Sequence, residues 1–260
     1  MRRFIAAILF CGLALAGRGE EDDYRFFTDT QGRSVQGMVT ACDLARNRVT
    51  IERADNNQRV TVSIDGFCEE DQAFIREWYL ANELLSDAKL RITCKEITVK
   101  EWTETETEEF SEAVTGEYAG ARIETTDFED IGYESTFQNK NDLPLKSLTL
   151  QYKIYYEQSE TTTGKPETVQ KIFEESVSLE DIKSDMQQKV STKTVQIFRT
   201  QFSTDGDVTL MTSKTGGKGE VHGMRARLTM ILPSGQKTMR EFSQPSSLSD
   251  KRFPWLPPSP

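Results

Sequence analysis

The sequence predicts a mainly β protein made of two bodies, and three observations carry that prediction. Apolar and polar residues alternate over many short runs, the period of a half-buried strand. Clusters of Gly, Asp, Asn and Pro separate the runs at short intervals, as tight turns require. Only one segment, EEDQAFIREWY at residues 69–79, has sustained helical spacing.

The chain begins with Arg2 and Arg3, an apolar run over residues 4–16, and the small-residue pattern Ala14-Leu15-Ala16. A basic start, a short apolar stretch and a small-x-small site make a secretory signal peptide, here residues 1–16. The run is shorter than the roughly 20 apolar residues a spanning helix needs, so no membrane span is expected after cleavage. Cys11 lies inside the run behind bulky Phe10 and is expected to leave with it.

Composition narrows the partners. Acids outnumber Lys and Arg by 42 to 32, for a net charge of −10, and losing Arg2 and Arg3 makes the remainder more acidic. Such a chain repels phosphate backbones, and no basic stripe offsets this, so nucleic acid is disfavoured. Cys42, Cys68 and Cys94 remain after the signal. In an oxidising compartment they allow one disulfide and one leftover thiol. Cys42 and Cys68 share the first body and form the candidate pair. The alternative is three buried thiols behaving as small hydrophobes.

The first body covers residues 24–82. Val35, Gly37, Val39 and Ala41 stand two apart, as do Val49 and Ile51, then Val60, Val62 and Ile64. Turn signals divide them at residues 29–32, 43–47 and 55–57. Four or five short strands on such turns suit a small closed or half-closed barrel, because a lone hairpin is barely stable in water. Helical spacing then begins after Cys68, and Glu69, Glu70 and Asp71 complement the dipole of its first turn. Phe74, Ile75 and Trp78 are expected to cover the open end of the barrel.

The order RFFTDTQGRSVQG, NRVTIER and RVTVSIDGFCEEDQAFIREW resembles the Sla homology domain. This Src-homology-3-like module takes its name from a yeast endocytic adaptor and occurs widely in secreted proteins of certain bacteria. The likeness runs over residues 25–78 and is most specific at Phe27-Thr28-Asp29, Gly32-Arg33 and EEDQAFI. Ser63 stands where the pattern usually has proline, and Cys68 where it usually has serine. The resemblance implies a small Src-homology-3-like barrel with a C-terminal helix, in a secreted or periplasmic bacterial protein. In the yeast adaptor the module binds short Asn-Pro-Phe-containing sorting peptides. A bacterial-type export signal makes that cargo role implausible, so the fold is carried over and the ligand is not.

The second body covers residues 88–255 and reads as strands almost throughout. Residues 90–102 are extended, while TETETEEF and the residues to 112 suit an exposed strand and a solvated linker equally. Strands follow at 131–138, 145–156, 169–179, 193–202, 223–232 and 238–242, with Leu148, Leu150, Tyr152, Ile154 and Tyr156 on one face. Pro233-Ser234-Gly235 marks a hairpin, and residues 180–188 are the one helix candidate. This pattern predicts a β-sandwich of immunoglobulin or fibronectin type III kind. The pieces YESTFQNKNDLPLKSLTLQYKIYYE and GMRARLTMILPSGQKTMREF are similar to uncharacterised sandwich domains that follow the Sla homology module in bacterial envelope proteins. That similarity implies no activity. Residues 256–260 are expected to be a flexible Pro-rich tail beyond a docked Trp255.

Catalytic signals are absent. His222 is the only histidine, lies beside a Gly-rich turn, and has no nucleophile motif near it, so a structural role is expected. One histidine and three scattered cysteines supply no zinc set. Asp205-Gly206-Asp207 does not complete a twelve-residue calcium loop. Gly216-Gly217-Lys218-Gly219 lacks the setting of a phosphate loop and reads as a turn. No metal or cofactor is expected.

The expected function is non-enzymatic binding of a protein or peptide partner, on a barrel groove or sheet edge, where backbone pairing supplies affinity. The alternative is a carbohydrate-binding envelope module using exposed aromatics, of which Tyr155, Tyr156 and Trp102 are the candidates. A carboxylate-dependent hydrolase ranks last, because the acids fall in solvated runs rather than in facing pairs.

Overall fold

The computed structural model describes residues 24–110, 120–160, 167–206, 217–248 and 251–255. The expected signal peptide at 1–16 and the tail at 256–260 lie outside them. Among the described residues, twelve strands in three antiparallel sheets and a single α-helix make the protein mainly β.

Strands β1 (Arg25–Thr28), β2 (Ser34–Asp43), β3 (Arg48–Arg53) and β4 (Arg59–Ser63) form the first sheet in sequence order. Its turns follow from local chemistry. Asp29 accepts from the backbone N–H of Gln31 and of Arg33, each at 2.9 Å. Asn47 and Asn57 take left-handed φ of 53° and 55°, which asparagine tolerates better than most residues. Gly37 is required by contact: a Cβ there would lie 2.5 Å from Ile51 Cγ2 and 2.7 Å from the Glu52 carbonyl oxygen.

Strict alternation along β2 fails at one place. The register with β3 slips between Val39 and Ala41, a bulge that adds one residue to β2. Beyond it the faces exchange, so Cys42 packs on the first core while Ala41 is exposed. That core comprises Phe27, Val39, Val49, Ile51, Ile64, Phe67 and Ile75.

Helix α1 (Glu69–Leu85) extends past residue 82, the expected end of the first body. The Asp71 carboxylate of its first turn is 3% exposed, accepting from the Thr28 N–H at 2.6 Å and Arg25 Nη2 at 2.7 Å. The Arg25 guanidinium also lies 4.0 Å from the Phe74 ring centre. The motif that distinguishes this stretch of sequence therefore ties β1 to the helix. Ile75 enters the first core, whereas Leu84 enters the second. One helix serves both bodies, so the boundary expected after residue 82 cuts through a shared element.

The second body has two four-stranded sheets. In one, β6 (Gly120–Asn139) pairs with β5 (Leu90–Phe110) on one edge; β9 (Gln187–Ser191) and β10 (Val195–Gly206) also pair with it. The other has the order β12-β11-β7-β8, from β7 (Leu148–Glu160), β8 (Glu167–Ser178), β11 (Gly219–Ile231) and β12 (Lys237–Gln244). They pack face to face over Tyr133, Phe137, Leu150, Tyr152, Met224 and Leu228, among others. Arg240 of β12 donates to the Leu84 and Leu90 carbonyls at 3.3 and 2.7 Å, binding the end of α1 to this body.

Two open or mistaken expectations resolve here. Residues 103–110 are strand, paired one for one with β6, while 111–112 lie outside the described residues. Residues 180–188 form no helix: buried Ile182 bridges Leu145, and Asp185 takes a φ of +56°, which interrupts helical backbone. The Pro233-Ser234-Gly235 turn forms as expected, with Gly235 at φ +86°. No helix of the described residues is long and apolar enough to cross a membrane.

Candidate functional site

A cavity of about 300 Å³ opens on the first sheet between β4 and the start of β2. Val35, Ile51, Val60, Val62 and Phe67 make its apolar wall, and Asp29, Arg53, Ser63 and Gly66 complete the lining. The sequence builds it simply. Val60 and Val62 alternate with exposed Arg59, Thr61 and Ser63 along β4, so both valines turn inward. Among the described residues no strand follows β4 in the sheet, so one backbone edge of β4 has no sheet neighbour.

Both charges of the lining already have partners. Arg33 donates its backbone N–H and its side chain to Asp29, and these hydrogen bonds hold the Asp29 carboxyl below the usual range. Arg53 forms a two-pronged pair with Asp55 at 3.0 and 2.6 Å, which lowers the Asp55 carboxyl likewise. What the site offers is therefore apolar contact flanked by fixed polar groups, with the free backbone edge of β4 alongside. A volume near 300 Å³ lies at the low end of small-molecule pockets and suits one or two side chains of a partner.

The aromatic residues singled out in the sequence are elsewhere and already engaged. Tyr155 is 3% exposed and donates its hydroxyl to the Pro254 carbonyl at 2.9 Å, so it lies beneath the chain's own C-terminal segment. Tyr156, on the opposite face of β7, packs against the second core. Trp102 stacks on Phe128 with ring centres 5.0 Å apart and planes within 7°. The Lys100 ammonium lies 4.3 Å from the same Trp102 ring. The three are not brought together, and Tyr155 is not among the exposed aromatics. Alternation along a strand could not reveal that a distant segment covers Tyr155.

The cysteines do not pair. Cys42, Cys68 and Cys94 are free thiols, so the candidate Cys42–Cys68 disulfide is not formed and the alternative of unpaired thiols holds. Cys68 precedes α1 and donates its thiol to Asp71 at 3.3 Å, while Cys42 turns toward the first core after the bulge. Burial, with help from Asp43 and Glu83, pushes the Cys42 thiol up to about 11. Burial likewise raises the Glu83 carboxyl and pushes the Tyr79 phenol up to about 12, with Asp142 adding to both. Cys42, Tyr79 and Glu83 thus lie near one another where the helix meets the second body, with exposed Asp142 beside them. His222 bonds Glu157 at 3.0 Å, and its ring lies 5.1 Å from that of Phe253, tilted by 35°. Asp205 and Gly206 end β10, and Asp207 lies outside the described residues.

Sequence reasoning did not single out Val35, Val60 and Val62 as site residues. Their alternation marked them as core, and nothing local distinguishes a core valine from one beside an unfilled edge.

No family model matches the chain, and none of the curated proteins matches it. Among solved structures, it is similar to an X-ray structure described as Northeast Structural Genomics Consortium target SoR45. Identity is 12%, the match covers 60% of this chain and 86% of that one, and the TM-score is 0.20.

Proposed function

We propose that this chain is an exported, non-catalytic interaction protein that docks an extended peptide or protein segment at the β4 cavity. The observation that carries the reading is the apolar cavity beside an edge strand with one sheet neighbour. A partner strand laid along β4 would gain backbone hydrogen bonds, and an apolar side chain of it would enter between Val60, Val62 and Phe67. The charged pairs Asp29–Arg33 and Arg53–Asp55 flank that path and would fix its register. The basic, apolar and small-residue order of residues 1–16 supports export to a bacterial envelope. The Sla homology likeness of the first body, and the immunoglobulin or fibronectin type III character of the second, belong to the same reading.

The test is capture from bacterial envelope extract by the chain from Gly17 onward, compared with V62E and T61P. V62E puts a charge in the cavity, and T61P removes a backbone donor from β4. A partner held by the parent chain and lost by both variants is the expected result. Retention by both, with unchanged far-UV circular dichroism, would refute docking at β4.

A further inference from the structure

The outer face of the β12-β11-β7-β8 sheet is covered at its centre by Phe253, Pro254 and Trp255. Arg225 Nη1 donates to the Phe253 carbonyl at 2.9 Å, and the Tyr155 hydroxyl donates to the Pro254 carbonyl at 2.9 Å. The Phe253 ring lies 5.3 Å from the Tyr155 ring and 5.1 Å from that of His222. The Arg227 guanidinium stands 4.1 Å from the Trp255 ring centre, and the Lys153 ammonium 5.4 Å from it. Two main-chain carbonyls and two aromatic rings are thus read by five side chains.

Those side chains are positioned by the sheet itself. Lys153 and Arg225 are direct cross-strand partners, and like charges so placed repel. Glu174 on β8 reaches Lys153 at 3.0 Å, and Glu241 on β12 reaches Arg225 at 3.3 Å and Arg227 at 2.6 Å. Strand register and these ion pairs do not involve the terminal segment. The face therefore presents donors and cations to any electron-rich occupant, and carbonyl oxygens and π faces are what the terminal segment supplies.

We propose that this face is a peptide-recognition site for an aromatic–Pro–aromatic segment, filled in cis by residues 253–255 and open to the same residues of a second copy. Every copy carries both halves of the contact. Exchange keeps each hydrogen bond and ring contact, so it costs little beyond the lost tether. The covalent connection favours the cis form by making the contact intramolecular.

Two experiments test this. The first titrates a labelled peptide of residues 251–260 into full-length F253A/W255A, which keeps the sheet and weakens the cis occupant. Saturable binding is expected, at least tenfold tighter than to the parent chain. Adding Y155F or R227A should weaken it by roughly two- to tenfold each. Absence of saturable binding, or binding indifferent to both substitutions, overturns the site. The second deletes Ser249 and Asp250, shortening the connection to the segment. A dimer by light scattering that W255A dissolves is expected, whereas a folded monomer overturns the second copy as occupant.

Discussion

The cavity beside β4 and the outer face of the β7–β11 sheet are built from opposite materials. The first is a wall of valines, Ile51 and Phe67, with its charges tied off in local pairs. The second is an array of Lys153, Arg225 and Arg227 held upright by carboxylates from neighbouring strands. The difference lies in what each can leave open. An apolar wall can stay partly open because its charged neighbours remain solvated. Buried cations need acceptors, and Lys153 and Arg225 reach 5% and 9% exposure with carboxylate, carbonyl and ring partners around them. So the cationic face is covered by the chain's own end, while the apolar one keeps a free edge.

Breaking the anchor of the first region should have the largest effect. D71A removes the acceptor of Arg25 and of the Thr28 N–H, and hydrogen bonds to a charged group contribute about 1.5–3 kcal/mol each. The urea midpoint should fall accordingly. A loss below about 1 kcal/mol would mean that β1 is held mainly by other contacts.

The next pair asks whether the two regions belong to one cooperative unit. I75A empties a fully buried site in the first core and L84A one in the second, each expected to cost about 2–5 kcal/mol. Because one helix carries both residues, both variants should shift a single transition. Two transitions, each moved by only one variant, would show that the bodies unfold independently.

The smallest effect concerns the cluster between them. Burial outweighs the Lys89 ammonium and raises the Glu83 carboxyl, whose Oε2 has no hydrogen-bond partner among the described residues. A folded-state pKa above the unfolded one means that the protonated form fits the fold. Stability is then fully present below the unfolded pKa and falls as pH rises through the folded one. E83Q keeps the shape and removes the desolvated charge, so it should stabilise at pH 7. The gain in Tm should shrink near pH 4. Since Glu83 also helps to raise the Cys42 thiol, E83Q should quicken alkylation of Cys42 at pH 8. An unchanged Tm difference across this range would exclude Glu83 as the titrating group.

Much of the fold is legible from residues alone. The period of two along residues 145–156 reports the buried face of β7, and Pro233-Ser234-Gly235 reports the hairpin between β11 and β12. Less of the candidate site is legible. The bulge at β2 reversed the face of Cys42, and a one-residue slip leaves no mark in composition. Residues 180–188 read as a short helix candidate, yet pairing of Ile182 with Leu145 prevails, because tertiary burial outweighs local preference.

By itself, the sequence determined that the chain is mainly β, where its main turns lie and which helix it forms. Those properties depend on neighbours a few residues apart, whose backbone preferences and side-chain periods act locally. Tertiary structure alone decided that α1 serves two cores, that β4 keeps a free edge, and that residue 253 covers Tyr155. Each of these depends on which distant surfaces meet, and a one-dimensional pattern holds no record of that distance.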